Sequence, residues 1–305
     1  MVPDATLSWT PRHETDVGLT LARVGRGPSD PTFQRTRDGS AWRTTLMPTG
    51  AATMRLSRLS PDELRCQAWG PGASEAVATA PQLLGSGDDP TGFEPSHPVL
   101  VDAHRRHSGL RIPRTGRVVE ALVPAILEQK VITLQAMRSW RELVHRFGSP
   151  APGPTPTPMR VVPAAETWRR ISSWEWHRAG VDPQRSRTIV TAMRVADSLE
   201  RCAELTPTEA QQRLQSIPGI GVWTAAEVAQ RAFGDADALS VGDYHLSSYI
   251  GHALFGQDFD DAAMVVAMEP WRGHRYRVVR LLEAAGVAGK PRRGARMALV
   301  DHRWH

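Results

Sequence analysis

Residues 217–225 run Ile-Pro-Gly-Ile-Gly-Val-Trp-Thr-Ala, and no other stretch limits the fold as tightly. Gly219 and Gly221, set close behind a proline, permit a turn tighter than side chains allow and a close backbone approach to another molecule. An amphipathic stretch leads in from Leu214, and a helix is expected over 222–233, directly after the glycines. The first N–H groups of that helix have no partner inside it, and its positive dipole end faces outward, which suits a phosphate. A bare Gly-x-Gly also occurs in ordinary helix–turn–helix connections. The longer pattern is more specific, because it runs on through a polar loop to Val241-Gly242-Asp243-Tyr244-His245-Leu246.

Around this stretch the chain changes character once. Residues 41–47, 51–59 and 63–69 alternate partly and are separated by Pro48-Thr49-Gly50 and Ser60-Pro61-Asp62, so they read as an antiparallel meander. A strand near 7–9 and a helix near 16–24 precede it. A helix over 75–84 follows, with Ser74 as its cap and Pro81 limiting its length. The polar segment 85–92 then closes a small α/β domain. From Pro98 onward the period is helical, with segments at 98–107, 117–129, 134–147, 164–172, 174–179, 183–199, 207–215, 222–233, 244–255, 260–268 and 275–285. The proline-rich run 149–158 cannot be helical and separates helices rather than domains. The fold class is therefore α+β: an N-terminal antiparallel α/β domain over 1–92, a mostly α-helical core over 93–288, and a basic tail over 289–305. The tail suits either a phosphate-contacting arm or a solvated end.

Composition narrows the classes. The 305 residues are 41% hydrophobic and 23% charged, ordinary for a soluble globular protein of two or three domains. No apolar run is long enough to cross a bilayer, and the first residues lack the basic start and apolar core of a signal peptide. Cys66 and Cys202 are too few for a four-cysteine zinc or iron–sulfur site and read as buried thiols, which implies a reducing cytoplasm. Net charge is +5, and arginine supplies all but two of the 37 basic residues. Nucleic-acid binding and plain solubility explain that balance equally well.

The hairpin, its helix and Asp243 together resemble the helix-hairpin-helix DNA glycosylase superfamily, and within it the AlkA-type 3-methyladenine glycosylases. Further matches are Ile126–Val131, residues 109–113 (Gly-Leu-Arg-Ile-Pro) and Glu269-Pro270-Trp271-Arg272, so the likeness spans nearly the whole chain. It implies a helix-hairpin-helix glycosylase core and a base-excision repair reaction on double-stranded DNA. A damaged, alkylated purine is flipped out and its N-glycosidic bond hydrolysed, with no cofactor and no catalytic metal. It also implies a monomer.

The residues fit that chemistry. Cleaving an N-glycosidic bond builds positive charge on the sugar, and Asp243 is the carboxylate placed to stabilise it and to position water. Taken alone, Asp243 also suits a helix cap, and Asp235 and Asp237 suit the turn before it. Trp223 stands where strand-cleaving members carry a lysine nucleophile; an indole cannot form a Schiff base, so the resemblance implies a monofunctional enzyme. Trp223 and Trp271 are expected to stack on the flipped base, with Tyr244 near them. Glu227, one helical turn after Trp223, occupies a spot that is aromatic in AlkA-type enzymes; it suits contact with a cationic base or an ion pair with Arg231. Backbone N–H groups around Gly219, Gly221 and Val222 are expected at a DNA phosphate, with the carbonyls of Ile217 and Ile220 open to a monovalent cation. Gln129, Lys130 and His245 complete the DNA-contacting set, Lys130 replacing the family's apolar wedge. Arg185 and Arg187 read as a solvated face. Two other readings remain open here: a glycosylase for a deaminated or bulky base, and a non-catalytic damage-sensing module. A metal-dependent nuclease lacks the clustered carboxylates and histidines it needs.

Overall fold

The computed structural model describes residues 1–289. The basic segment expected from residue 289 therefore lies, Gly289 apart, outside the described residues. Alternating residues build a five-stranded antiparallel sheet from β1 (Ala5–Trp9), β2 (Phe33–Arg35), β3 (Ala41–Met47), β4 (Gly50–Ser60) and β5 (Glu63–Trp69), in the order β1-β5-β4-β3-β2. The meander of β3, β4 and β5 is as the turn residues predict; Met47 pairs with Gly50 across a two-residue turn. Three-residue β2 was not expected, because no periodicity can show in so short a segment. One face of the sheet packs Met54, Leu56, Leu64 and Cys66 against the helix Ala73–Leu83 and the short helix Val17–Leu21. Asp16 caps Val17–Leu21 by accepting from the Leu19 N–H at 2.8 Å. Gly72, not Ser74, precedes the other helix, and Pro81 sits inside its last turn.

The helical half has two cores rather than one. The first gathers Val118–Leu127, Thr133–Phe147, Pro183–Met193, Pro207–Gln215 and Val222–Val228. Its centre is Val118–Leu127, in which every side chain but Glu120 is buried; each such aliphatic chain stabilises the fold by about 1.5–3 kcal/mol. The second core combines Pro98–Arg106 with Leu246–Ile250, Asp261–Ala267 and Arg275–Ala284. The expected helix over 183–199 is two, Pro183–Met193 and Ala196–Glu200. The break lets Glu200 reach across and accept from the Val118 and Val119 N–H groups, both at 3.0 Å, in place of a local cap. Burial pushes the Glu200 carboxyl up.

The sheet is bound to the helices through charge. Glu120 accepts from Arg43 at 2.6 Å and from the Thr45 hydroxyl and Leu46 N–H at 2.8 Å each. Within the polar segment 85–92, Asp88 is buried and takes both Arg277 nitrogens, at 2.6 and 2.9 Å, together with the Ile112 N–H. That segment is a fastening, not a loose connection.

Candidate active site

The site lies where the two helical cores meet. The chain passes from one to the other between Ala238 and Leu239, and a cleft of about 1700 Å³ opens at that junction. The hairpin forms its first wall. Thr206 and Glu209 cap the lead-in helix Pro207–Gln215 reciprocally. The turn closes with the Ile220 N–H on the Ile217 carbonyl at 3.0 Å. Gly219 has φ +90°, and a Cβ there would lie 2.3 Å from Thr188 Oγ1, so the close approach requires glycine. Gly221 and Val222 are exposed, and Gly221 supplies no side-chain cap, which leaves the first N–H groups of the helix facing outward.

Trp223 points from this helix to Asp243, its indole N–H donating to Oδ2 at 3.1 Å. The other carboxylate oxygen accepts from the His245 and Leu246 N–H groups at 2.8 and 3.0 Å, capping the following helix. Structural cap and candidate catalytic carboxylate are thus the same group. The loop between them leaves the hairpin helix through left-handed Gly234, after its last turn widens to π-type bonding at Ala229–Phe233. Gln230 and Ser240 then hold it from inside.

The other expected residues divide. Tyr244 lines the cleft but is 85% exposed, edge-on to His245 at 4.8 Å, so it stands on the rim. Trp271 is a correction: it is buried in the second core, its indole donates to the Glu94 carbonyl at 3.2 Å, and it does not line the cleft. The apolar surroundings and the distant carbonyl acceptor claim it as a packing residue. Glu227 resolves toward the ion pair. It meets Arg231 at 2.8 Å and the Ser240 hydroxyl at 2.6 Å, while still lining the cleft. Burial alone would push its carboxyl up, but Arg231, the Ser240 hydroxyl and Arg26 hold it below the usual glutamate range.

Gln129 is partly a brace. Its side-chain N–H group donates to the Gly219 carbonyl and to Thr224 Oγ1, both at 2.9 Å, tying the 128–132 turn to the hairpin. Lys130 is exposed on that turn and lines the cleft. Its φ of +55° is, among the described residues, the only positive value outside glycine, a strained conformation of the kind that clusters at functional sites. Arg185 overturns the solvated reading: it is buried, and it donates to the Leu127 carbonyl at 2.6 Å and pairs with Asp182 at 2.5 Å. It therefore braces the same turn from below, while Arg187 is exposed.

Sequence reading missed the rest of the cleft. Leu19, Arg23 and Arg26 reach it from the sheet-bearing half, and Tyr249, Tyr276 and Arg280 from the second core. Arg231 donates to the Arg23 carbonyl at 2.9 Å, Arg280 to the Leu19 carbonyl at 3.0 Å, and Arg26 pairs with Glu128 at 3.1 Å. No local pattern announces such residues, because their partners lie far away along the chain. Among the described residues no group of three or more His, Cys, Asp or Glu side chains could hold a metal ion. None of the described helices is long and apolar enough to cross a membrane, and both cysteines are free and buried.

No family model matches the chain. It is 30% identical over 256 residues to the probable bifunctional transcriptional activator/DNA repair enzyme AlkA of Mycobacterium tuberculosis, a match covering 80% of this chain and 50% of that protein. The chain thus spans about half the length of the curated relatives it matches. The 3-methyladenine DNA glycosylase of Archaeoglobus fulgidus superposes with a TM-score of 0.74 at 19% identity, over 91% of this chain and 98% of that one. The 8-oxoguanine glycosylase/lyase of Clostridium acetobutylicum shares the fold at a TM-score of 0.70 and 11% identity, over 93% of this chain and 100% of that one. With the glycine hairpin, the Trp223–Asp243 pair and the appended sheet in place, the chain is similar in sequence and fold to the AlkA-type branch of the helix-hairpin-helix DNA glycosylase superfamily.

Proposed function

We propose that the chain is a monofunctional DNA glycosylase of base-excision repair: it turns an alkylated purine out of duplex DNA and hydrolyses the N-glycosidic bond. The observation that carries this reading is the Trp223–Asp243 contact at 3.1 Å. It sets a carboxylate held by three donors at the mouth of a cleft wide enough for a flipped nucleotide. As the bond to the base lengthens, positive charge grows on the sugar, and the Asp243 carboxylate stabilises it and orients the attacking water. The base departs with the bonding electron pair and water adds to the sugar carbon, leaving an abasic site. Trp223, lacking an amine, offers no route to a covalent imine and strand cleavage. The exposed hairpin N–H groups at Gly221 and Val222 take one DNA phosphate, and Lys130 enters the space left by the flipped nucleotide, its stem inside and its ammonium toward phosphate. The Ile217 carbonyl, with one lone pair on the Ile220 N–H, retains another for a monovalent cation shared with Ile220. The protein acts as a monomer in the cytoplasm, which two free buried thiols suit.

The test is release of free base from methylated, deaminated, oxidised and undamaged duplexes, identified by mass spectrometry. Methylated purines are expected from the wild type, and Asp243→Asn should abolish release while DNA binding persists. Full activity in Asp243→Asn refutes the mechanism, and an adduct trapped by borohydride refutes the monofunctional reading. Withdrawal of Trp271 from the cleft favours one alternative, a different lesion such as a deaminated or bulky base. Release of only such a base would establish it.

A further inference from the structure

Trp223 and Glu227 stand one turn apart on the same face of the hairpin helix, and each reaches the returning loop. Trp223 meets Asp243, and Glu227 meets Ser240 at 2.6 Å. Ser240 and Asp243 are themselves the two ends of one turn, closed by the Asp243 N–H on the Ser240 carbonyl at 3.2 Å. The two contacts are therefore successive rungs between helix and loop, and the lower rung fixes the height of the upper one.

The polarity of the lower rung is fully set. Gln230 donates to Ser240 Oγ at 2.8 Å and to the Ala238 carbonyl at 2.9 Å. Ser240 Oγ is then an acceptor on one side and must place its proton on the other, where Glu227 Oε1 waits. Arg231, itself buried, holds the remaining oxygen of the half-buried Glu227, so the group stays an ionised acceptor. Ser240 is only 4% exposed, so bulk water has little access to its hydroxyl. An amide at position 227 would satisfy both neighbours only if the Ser240 hydroxyl turned its proton away and accepted instead, which reverses the polarity of the rung.

We propose that Glu227 is a positioning residue for the reaction: through the Ser240 hydroxyl it fixes the loop that holds the Asp243 carboxylate against the Trp223 indole. The proposal rests on the reading of Asp243 as the catalytic carboxylate. It assigns a role to the residue that replaces an aromatic of related enzymes. Glu227 acts on the rate without touching the base.

Full-length Ser240→Ala tests it, since it cuts the rung and leaves the Glu227–Arg231 pair whole. Single-turnover base release is expected to fall about 10- to 100-fold, the effect of a small misplacement of a reacting group. Affinity for the damaged duplex should stay within about twofold. Ser240→Thr, which restores the hydroxyl, should recover most of the rate. Glu227→Gln should slow the same step, and the double variant should be no slower than the slower single one, because both break one linkage. A Ser240→Ala rate within about twofold of wild type overturns the proposal. So does an additive double variant, or a loss confined to binding. A wild type that releases no base from any damaged duplex refutes instead the glycosylase reading on which the proposal stands.

Discussion

Asp243 does two jobs with one side chain, and its two oxygens divide them. Oδ1 caps the helix Leu246–Ile250 and Oδ2 faces the Trp223 indole. Asparagine keeps the capping acceptor, so the loss of activity expected in Asp243→Asn reports the lost charge and the lost Trp223 contact rather than a lost cap. At Glu227 the same logic gives a pH prediction. Its folded pKa lies below the ordinary 4.5, so its pairing stabilises the fold fully above about pH 4.5 and fades as pH falls through the folded value. Glu227→Gln should therefore be clearly less stable than wild type near pH 7, and the gap should narrow near pH 3.5. Urea midpoints at the two pH values measure this, and a gap that is equal at both refutes it. Asp243 and Trp223 could be singled out in the sequence because the hairpin pattern fixes both residue type and spacing, and the two side chains do meet. Trp271 was not, since a tryptophan that stacks on a ligand and one that fills a core look alike until the Glu94 carbonyl comes into view.

Among the elements, the hairpin is the least tolerant. Gly219→Ala meets both a left-handed φ of +90° and the Thr188 hydroxyl 2.3 Å away. A loss of about 1–3 kcal/mol in unfolding free energy is expected from the backbone conformation alone. Binding to undamaged duplex should weaken as well, because the carbonyl at 219 also receives Gln129 and so anchors the Lys130 turn. A variant with wild-type stability and binding would show that the hairpin adapts. Helix starts were legible wherever the cap is local, as at Asp16, Asp182, Thr206 and Asp260. The split of 183–199 was not, because the contact it permits, Glu200 with Val118 some eighty residues back, is one no sequence window contains.

At the scale of the whole molecule, sheet and helices behave as one body because the seam between them is ionic and dry. Asp88 and Arg277 have side chains only 1% and 3% exposed. Removing one charge strands the other, so Asp88→Asn should cost about 3–5 kcal/mol in urea unfolding, far more than an exposed pair would. A change under about 1 kcal/mol would mean that the seam relaxes freely. Residues 85–92 read as the polar close of the first domain because glycine, aspartate and proline mark turns wherever they occur. Only the fold reveals that one of those aspartates is a buried anchor.

The contacts of Arg231 and Arg280 with the 19–27 segment have a further consequence. Both arginines donate to main-chain carbonyls, those of Arg23 and Leu19. A carbonyl is present whatever side chain the codon specifies, so point changes at these two positions leave both acceptors where they are. An inserted or deleted residue moves them by more than 3 Å and takes one acceptor from each of two buried guanidinium groups. At positions 19 and 23 selection therefore acts on the length of the segment more than on the side chain, and descendants of this chain should vary in residue type there but not in residue count.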